Sequence, residues 1–416
     1  MTLSIVATVI GAGSTVAIVS EVYNTGISYG IALPCGLIFA ALLMGILAKR
    51  IKKVGEEYNT YTLVDFFHKR FDSKNKKIML IFQLSVLTLW IAVQAVAMAS
   101  LASVLTDINF GTALLLVAGI TILYTTIGGL KIDFITDFVQ FWIILVVFLI
   151  TAILGYQQVG GFSSLFSSIP KGHLNPFAFG GIIWFLGAIF LSGFYALGNS
   201  SVWQRIMATK NQKVARKSYF LAIPIILFLS LIIVFFGLVA SVLLKDINQD
   251  FAIFSLMETI LPPALVGVGF AAILAVIMSS VDSLLIGGST IIYREIFKKD
   301  QFENKKEIFY ARLLTAAFGI IGFSIAFLIP KIVTLSLITV YLAITLALPT
   351  IFALYSKKLS ANASFCAILI APIALFITFP ILGPNSFIVP LILDLGILIF
   401  YDKIFKKRDF VLHIPQ

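Results

Sequence analysis

Residues 271–290 read AAILAVIMSSVDSLLIGGST, a stretch long enough to cross a bilayer as a helix. Its apolar run is interrupted by four oxygen-bearing side chains, those of Ser279, Ser280, Asp282 and Ser283. At about 100° per residue, the four lie on one face of a helix. Hydroxyl and carboxylate oxygens are hard ligands that replace water around small cations. The stretch therefore predicts a cation site at mid-membrane.

A packing role is the alternative for these serines. Serine hydroxyls in membrane helices commonly bond the carbonyl four residues back, or allow a neighbouring helix to approach closely. Asp282 favours the cation site, because a carboxylate at the bilayer centre costs about 2.5 to 3.5 kcal/mol on insertion scales and usually lines a cavity or a pathway.

The composition excludes a soluble globular protein. Of the 416 residues, 60% are hydrophobic and only 12% are charged, against about 25% charged in soluble domains. Twelve hydrophobic segments are candidate spanning helices. They cover approximately residues 2–20, 27–48, 76–105, 110–128, 134–156, 178–200, 218–244, 262–293, 312–329, 332–355, 361–380 and 386–401.

The net charge of +11 reflects topology rather than a nucleic-acid partner. With a cytoplasmic amino terminus, every Lys and Arg except Lys171, Lys245 and Lys331 falls in the inner loops or the carboxyl-terminal tail. This is the pattern that the positive-inside rule requires. It predicts a multi-pass protein of the inner (plasma) membrane with both termini in the cytoplasm.

Glycines interrupt the first and the sixth hydrophobic segments. Gly11 and Gly13 stand in the first, and Gly187, Gly193 and Gly198 in the sixth. Glycine lets a membrane helix open where it lines a cavity, although close helix packing is the alternative reason for it. The sixth segment starts five segments after the first. Because five is odd, two five-helix halves would insert in opposite orientations, as in inverted-repeat transporters.

Two further features concern the loops and the acidic residues. The sequence predicts a short surface helix at about Thr62 to Phe71 and a short outer interfacial helix within residues 250–263. Asp133 and Asp137 open the fifth hydrophobic segment, where acidic residues suit the helix dipole. Asp137 stands deeper than a cap would, so it is a candidate ligand as well.

Four motifs together resemble the sodium:solute symporter family, whose members have the leucine-transporter type of fold. They are GAGSTVAIVSEVYNTGISYG (residues 11–30), TTIGGLKIDFITDFVQ (125–140), WQRIMATKNQKVAR (203–216) and AAILAVIMSSVDSLL (271–285). They are spread over about three quarters of the chain and keep the order of the family. Each motif alone would be weak evidence.

The resemblance implies a sodium ion between the first and eighth segments. Its ligands would be the backbone carbonyls of Ala7, Ile10 and Val276 and the hydroxyls of Ser279 and Ser280. The spacing of Val276, Ser279 and Ser280 agrees, since residues three and four apart share a helix face. A second cation site is also implied in some members. Its matching positions here are Asp137, Ser279, Asp282 and Ser283, whose two carboxylates would repel unless a cation or a proton lay between them.

The resemblance also places the solute beside the two glycine-broken segments. The implied lining residues are Gly11, Gly13, Ser14, Thr15, Gly193 and Tyr195. Proline-transporting relatives have an acidic residue two places after the position of Ala7, whereas this chain has Val9 there, which argues against transferring proline as the substrate. Many members begin with one additional helix before the first core helix, and none is expected here, either because the start is shortened or because this is a subfamily without that helix.

The sequence thus predicts an all-α polytopic membrane protein of about twelve helices. Residues 1–356 would form the 5+5 inverted-repeat core, with repeats at 1–156 and 178–356; residues 357–402 would add two helices, and 403–416 a cytoplasmic tail. The predicted function is sodium-coupled symport of an amino acid, carboxylate, sugar or vitamin by alternating access. The alternatives are a proton-coupled symporter using Asp137 or Asp282, and a transporter-like membrane sensor. Because the sequence has no HExxH and no GxSxG motif, an enzyme is not expected.

Overall fold

The computed structural model describes residues 1–128, 130–297 and 305–404, and these residues form helices and connecting turns without a strand. Most of the tail predicted at 403–416 lies outside them. The helices are α1 Thr2–Val9, α2 Val16–Thr25, α3 Ile27–Tyr58, α4 Leu63–Arg70, α5 Ser73–Thr106, α6 Phe110–Gly128, α7 Leu130–Gln158, α8 Gly161–Ser168, α9 Gly181–Phe190, α10 Ser200–Met207, α11 Gln212–Leu243, α12 Ala252–Ile260, α13 Pro263–Phe297, α14 Lys305–Leu328, α15 Ile332–Tyr355, α16 Ala361–Leu382 and α17 Ile388–Ile404.

The chain is an integral, multi-pass membrane protein. Among the described residues, eight helices are long and apolar enough to cross a membrane, and a ninth span results if α9 and α10, bent by 52°, are counted as one. Three predicted segments are not among these spans. The first is divided between α1 and α2. The fourth and the twelfth border residues outside the described part, beyond Gly128 and Ile404 respectively. The count of twelve stays a prediction.

The first hydrophobic segment is broken where its glycines predict it. Helix α1 ends at Val9, a 3₁₀ turn covers Ala12–Ser14, and α2 starts at Val16. Gly11 between them is extended, with φ −110° and ψ −167°, and its amide donates to Ser14 Oγ at 3.0 Å. The amide of Ala12 donates to Gln94 Oε1 on α5, also at 3.0 Å. Side chains therefore satisfy backbone donors that a continuous helix would have used.

The sixth segment is broken in a similar way. Helix α9 gives way to a 3₁₀ turn, Ser192–Ala196, before α10 begins at Ser200. The side chain of Asn199 caps α10 by accepting from the amide of Ser201 at 2.9 Å. Close packing also requires glycine here, since a Cβ added at Gly198 would overlap the backbone carbonyl of Ala343. Both reasons offered for the glycines thus hold in this segment.

Two predicted short helices are present beside the spans. Helix α4 matches the surface helix expected near residues 62–71 and begins with a capping box between Thr62 and Asp65. Helix α12 matches the outer interfacial helix. Arg70 at the end of α4 is almost fully buried and donates to the carbonyls of Ala353 and Ser356 at the end of α15, at 3.3 and 2.8 Å. The inner connector is therefore fixed to α15.

Candidate functional site

The two central serines of α13 are buried, and one of them, Ser280, lies against the break in the first segment. Ser279 and Ser280 are 2% and 3% exposed. Ser279 Oγ donates to the carbonyl of Val276 at 3.1 Å, whereas Ser280 Oγ has no hydrogen-bond partner among the described groups. A Cβ added at Gly11 would meet Ser280 Oγ, so the extended backbone of the break runs directly past this hydroxyl. A buried hydroxyl without a partner is costly unless a ligand bonds to it.

The break also releases the two carbonyls that the sequence pairs with these serines. In an unbroken helix the amides of Gly11 and Ser14 would donate to the carbonyls of Ala7 and Ile10. Instead, the Gly11 amide donates to Ser14 Oγ, and the Ser14 amide donates to the carbonyl of Gly11 at 3.2 Å. The side chain of Ala7 lies outside the described residues. The amides of Gly11 and Ser14 therefore do not donate to the carbonyls of Ala7 and Ile10.

The chemistry of this donor set suits a hard monovalent cation. Carbonyls and hydroxyls are neutral oxygen ligands. Within residues 1–128, 130–297 and 305–404, no group of three or more His, Cys, Asp or Glu side chains could hold a metal ion. The donor set therefore lacks the nitrogen, sulfur and clustered carboxylate ligands that transition metals and calcium prefer.

Asp282 and Ser283 turn toward different neighbours. The Asp282 carboxylate accepts from Tyr124 Oη at 2.5 Å and from Thr125 Oγ1 at 2.7 Å, both on α6. Ser283 Oγ accepts from the guanidinium of Arg205 on α10 at 3.2 Å. The side chain of Asp137 lies outside the described residues. A second cation site that uses all of these groups together stays a prediction.

A cavity of about 110 Å³ lies next to the two breaks. Four of the six predicted solute-binding residues line it, namely Gly11, Gly13, Ser14 and Tyr195. The other two face elsewhere in the core: Thr15 is fully buried, and Gly193 packs against Phe39 and Ala40 of α3. The wall is mainly apolar and aromatic, and among the described residues Arg205 is the only charged side chain on it.

Sequence reasoning missed most residues of this wall, including three that lie against the breaks. Gln94 accepts a hydrogen bond from the backbone of the first break, and Trp90 packs on both breaks. Ser336 on α15 has a buried hydroxyl without a partner among the described groups. Gln94 had a detectable signal, because it is an amide in the middle of an apolar run, WIAVQAVAMAS. Ser336 had a weaker one, since a single serine is common in membrane helices.

An aromatic cluster lies over one end of the cavity. Trp184 of α9 stacks on Tyr29 of α3, with ring centroids 5.4 Å apart, and meets the edge of Phe179 at 4.5 Å. The indole Nε1 of Trp184 donates to Tyr341 Oη at 3.1 Å, and Tyr341 in turn donates to the carbonyl of Pro384 at 2.6 Å. The cluster therefore connects α3, α9 and α15 with the turn between α16 and α17.

Curated proteins with similar sequences are sodium-coupled carriers. The chain is 27% identical to the sodium/pantothenate symporter of Haemophilus influenzae, over 65% of this chain and 58% of that protein. It is 26% identical to the sodium/glucose cotransporter of Vibrio parahaemolyticus, over 66% and 57%. It is 28% identical to the sodium/proline symporter of Staphylococcus aureus, over 74% and 63%. The matched regions thus span about three fifths of the length of these relatives.

Solved structures show the same fold. A Na⁺-coupled sialic acid symporter, in a substrate-bound outward-open state, superposes with a TM-score of 0.83 at 15% identity, over 100% of this chain and 90% of that one. Mhp1, a nucleobase-cation-symport-1 family transporter, superposes with a TM-score of 0.62 at 13% identity, over 97% and 92%. The model of the sodium:solute symporter family matches residues 1–371, so this chain belongs to the sodium:solute symporter family.

Proposed function

We propose that this chain is a secondary active transporter that couples inward sodium flow to the uptake of a small organic solute by alternating access. The observation that carries the proposal is the contact between Ser280 and the break at Gly11, where a buried hydroxyl without a partner among the described groups lies against extended backbone. Sodium-coupled carriers among the relatives support it. Sodium would be held by the carbonyls of Ala7, Ile10 and Val276 and by the hydroxyls of Ser279 and Ser280.

Coupling follows from where this site lies. A cation at the break would tie α1 to α13 and so favour one conformation of the adjoining cavity. The requirement is only that sodium bind one conformation better than the other, with about 1.4 kcal/mol of difference giving a tenfold preference. A membrane potential of about 100 mV adds about 2.3 kcal/mol per charge moved.

The solute would occupy the cavity beside the two breaks. Gly11, Gly13, Ser14 and Tyr195 would contact it, while Thr15 and Gly193 would support the backbone of the breaks from behind. In the part of the chain that the structure describes, Arg205 and no carboxylate lines the wall, so the wall suits a neutral or anionic solute better than a cation. Amino acids, carboxylates, sugars and vitamins remain the substrate classes, and the named relatives carry pantothenate, glucose or proline.

The proposed topology keeps the twelve segments and their charges. Residues 1–156 and 178–356 would form the two inverted repeats, and 357–402 the two accessory helices. The protein would lie in the inner (plasma) membrane, with the first residues and the basic loops in the cytoplasm. A second cation at Asp137, Ser279, Asp282 and Ser283 is compatible with this layout, although Asp282 would have to accept the ion alongside Tyr124 and Thr125.

The test combines binding and transport. Purified protein is heated in sodium and then in potassium, first alone and then with amino acids, sugars, carboxylates and vitamins. Sodium alone is expected to raise the melting temperature, and the transported solute to raise it further only in sodium. Uptake of that solute into proteoliposomes should follow the sodium gradient.

Two variants locate the site. Ser279→Ala and Ser280→Ala are each expected to abolish sodium-driven uptake while leaving membrane insertion intact. Unchanged sodium dependence in both variants would remove the proposed site. Uptake that depended on pH and not on sodium would select the proton-coupled alternative, with Asp137 or Asp282 as the titrating group.

A further inference from the structure

One face of α5 contacts both broken helices. Gln83, Trp90 and Gln94 are spaced by seven and four residues. At about 100° per residue, the three side chains fall within about 40° of one another, over a rise of about 16 Å. We call these three residues the α5 stripe. Helix α5 itself is an unbroken helix of 34 residues.

Gln94 holds the first break. Its Oε1 accepts the amide of Ala12, which a continuous helix would have directed to the carbonyl of Thr8. The side chain is 2% exposed, and a Cβ added at Gly11 would lie 3.3 Å from its Nε2. Gln94 therefore fixes the backbone next to the hydroxyl of Ser280.

Gln83 holds the second break with both ends of its carboxamide. Its Oε1 accepts the amide of Ser200 at 2.8 Å, and its Nε2 donates to the carbonyl of Gly198. The side chain is fully buried. Because the two backbone groups lie on either side of Asn199, the glutamine fixes the residues where the 3₁₀ turn passes into α10.

Trp90 stands between the two glutamines and contacts both breaks. Its indole lies 6.4 Å, between ring centroids, from Tyr195 in the second break. The same indole lies where a Cβ at Gly13, in the first break, would fall. Trp90 also lines the cavity. A shift of either break must therefore displace a group on the same rigid helix face.

We infer that the α5 stripe couples the two breaks, with Gln83 and Gln94 as positioning residues, so that sodium at the first break changes the exposure of the second. The inference rests on the proposed function, because it needs a sodium site at the first break. Coupling of this kind requires an element whose position both sites bias, and the stripe is the element that touches both.

The test uses sodium alone and the full-length chain. Cys35 and Cys366 are replaced by serine, and Ala196→Cys places a single thiol on the cavity wall in the second break. The rate of maleimide labelling is compared in sodium and in potassium. Sodium is expected to change this rate by about fivefold or more, the lower range of allosteric coupling. Melting temperature in the two salts reports sodium binding separately.

Gln83→Leu is the decisive variant, because Gln83 lies away from the sodium site. It is expected to keep the sodium-induced rise in melting temperature, while the ratio of its labelling rates in sodium and in potassium moves toward one. Gln94→Leu should reduce both the sodium-induced rise in melting temperature and the effect of sodium on the labelling rate. Thr88→Val is the matched control, since Thr88 is buried on α5 between the two glutamines and its hydroxyl bonds only the carbonyl of Leu84 of the same helix at 2.6 Å. It should keep both responses.

Three results separate the inference from the proposed function. If Gln83→Leu keeps the labelling ratio of the parent, the stripe does not couple the breaks. If sodium raises the melting temperature of the parent but leaves the labelling unchanged, the inference fails and the sodium site stands. If sodium alters neither, the proposed site fails, and the inference fails with it.

Discussion

Single residues differ in how well the sequence predicts their partners. Ser279 and Ser280 stand out because they are hydroxyls in an apolar run; the structure buries both and places Ser280 beside the first break. Asp282 stands out more strongly as a charge, yet its carboxylate accepts hydrogen bonds from Tyr124 and Thr125. Which of two adjacent polar residues faces which helix depends on how the helices pack, and helical spacing alone does not specify it.

Gly11→Ala tests how closely the break must approach α13. The backbone at Gly11 has a negative φ that alanine adopts readily, so backbone strain is not the issue. The added Cβ would collide with the hydroxyl of Ser280 and crowd Gln94. The half-saturating sodium concentration for thermal stabilisation should rise about tenfold or more, equivalent to about 1.4 kcal/mol of lost binding.

Gly267→Ala is the control for this substitution. Gly267 is exposed on α13, and a Cβ added there would have no neighbour within 4 Å. Alanine should leave sodium affinity unchanged and stabilise the helix by up to about 1 kcal/mol. Equal sodium affinity in the Gly11→Ala variant and the parent would show that this contact does not shape the site.

Whole elements follow the sequence where their signals are local. The break at Gly11 was predicted from its glycines, and the short helices α4 and α12 were predicted in the stretches between hydrophobic segments. The hydrogen bonds from α5 to the two breaks were not predicted, because they join residues far apart in the sequence. Gln94 is more than 70 residues from Ala12, and Gln83 is more than 100 residues from Gly198. Such contacts arise only from tertiary packing.

The turn around Asp250 gives a pH-dependent prediction. This turn, Gln249–Phe251, docks on α2 through Ser20 Oγ, which donates to Asp250 Oδ1 at 3.2 Å. Burial raises the pKa of Asp250 above its ordinary value, against opposing contributions from Ser20, the amide of Ile332 and the charge of Lys331. Between the ordinary and the raised pKa, the folded protein holds a proton that the unfolded chain has lost. Stability therefore falls as pH rises through this window.

Asp250→Asn removes this dependence, because asparagine stays neutral while keeping an oxygen to accept from Ser20. Thermal unfolding across the acidic range should show the parent losing stability relative to the variant as pH rises. Asp246→Asn is the control: Asp246 is exposed in the same loop and has a positive φ of 54°, which asparagine tolerates. It should reproduce the pH profile of the parent. Parallel profiles for the parent and Asp250→Asn would contradict the prediction.

At the scale of the molecule, composition and charge placement predicted a multi-pass helical protein, and the structure and its family agree. The number of spanning segments was harder to predict from the sequence. The helices α1 and α2 read as one hydrophobic segment, but each is too short to be a straight span. The role of the last helices was not foreseen. The turn between α16 and α17 places the carbonyl of Pro384 on Tyr341, beside the cavity.

Tyr341→Phe tests whether this turn helps to close the cavity. The Tyr341 hydroxyl accepts from the indole of Trp184 and donates to the carbonyl of Pro384, so its loss leaves two polar groups without their partner. The cost should be about 1 to 3 kcal/mol of unfolding free energy. Because the network joins α9, α15 and the accessory helices over one end of the cavity, its loss should favour conformations that open there.

The proposed topology assigns that end to the outside. A membrane-impermeant maleimide added outside should therefore label the Ala196→Cys reporter faster in Tyr341→Phe than in the parent. Tyr355→Phe is the control, since Tyr355 lies exposed at the end of the same helix and its ring, which faces Arg50, is retained. If Tyr341→Phe lowers the melting temperature without faster labelling, the network supports the fold alone. Faster labelling would assign the accessory helices a direct part in closing the cavity.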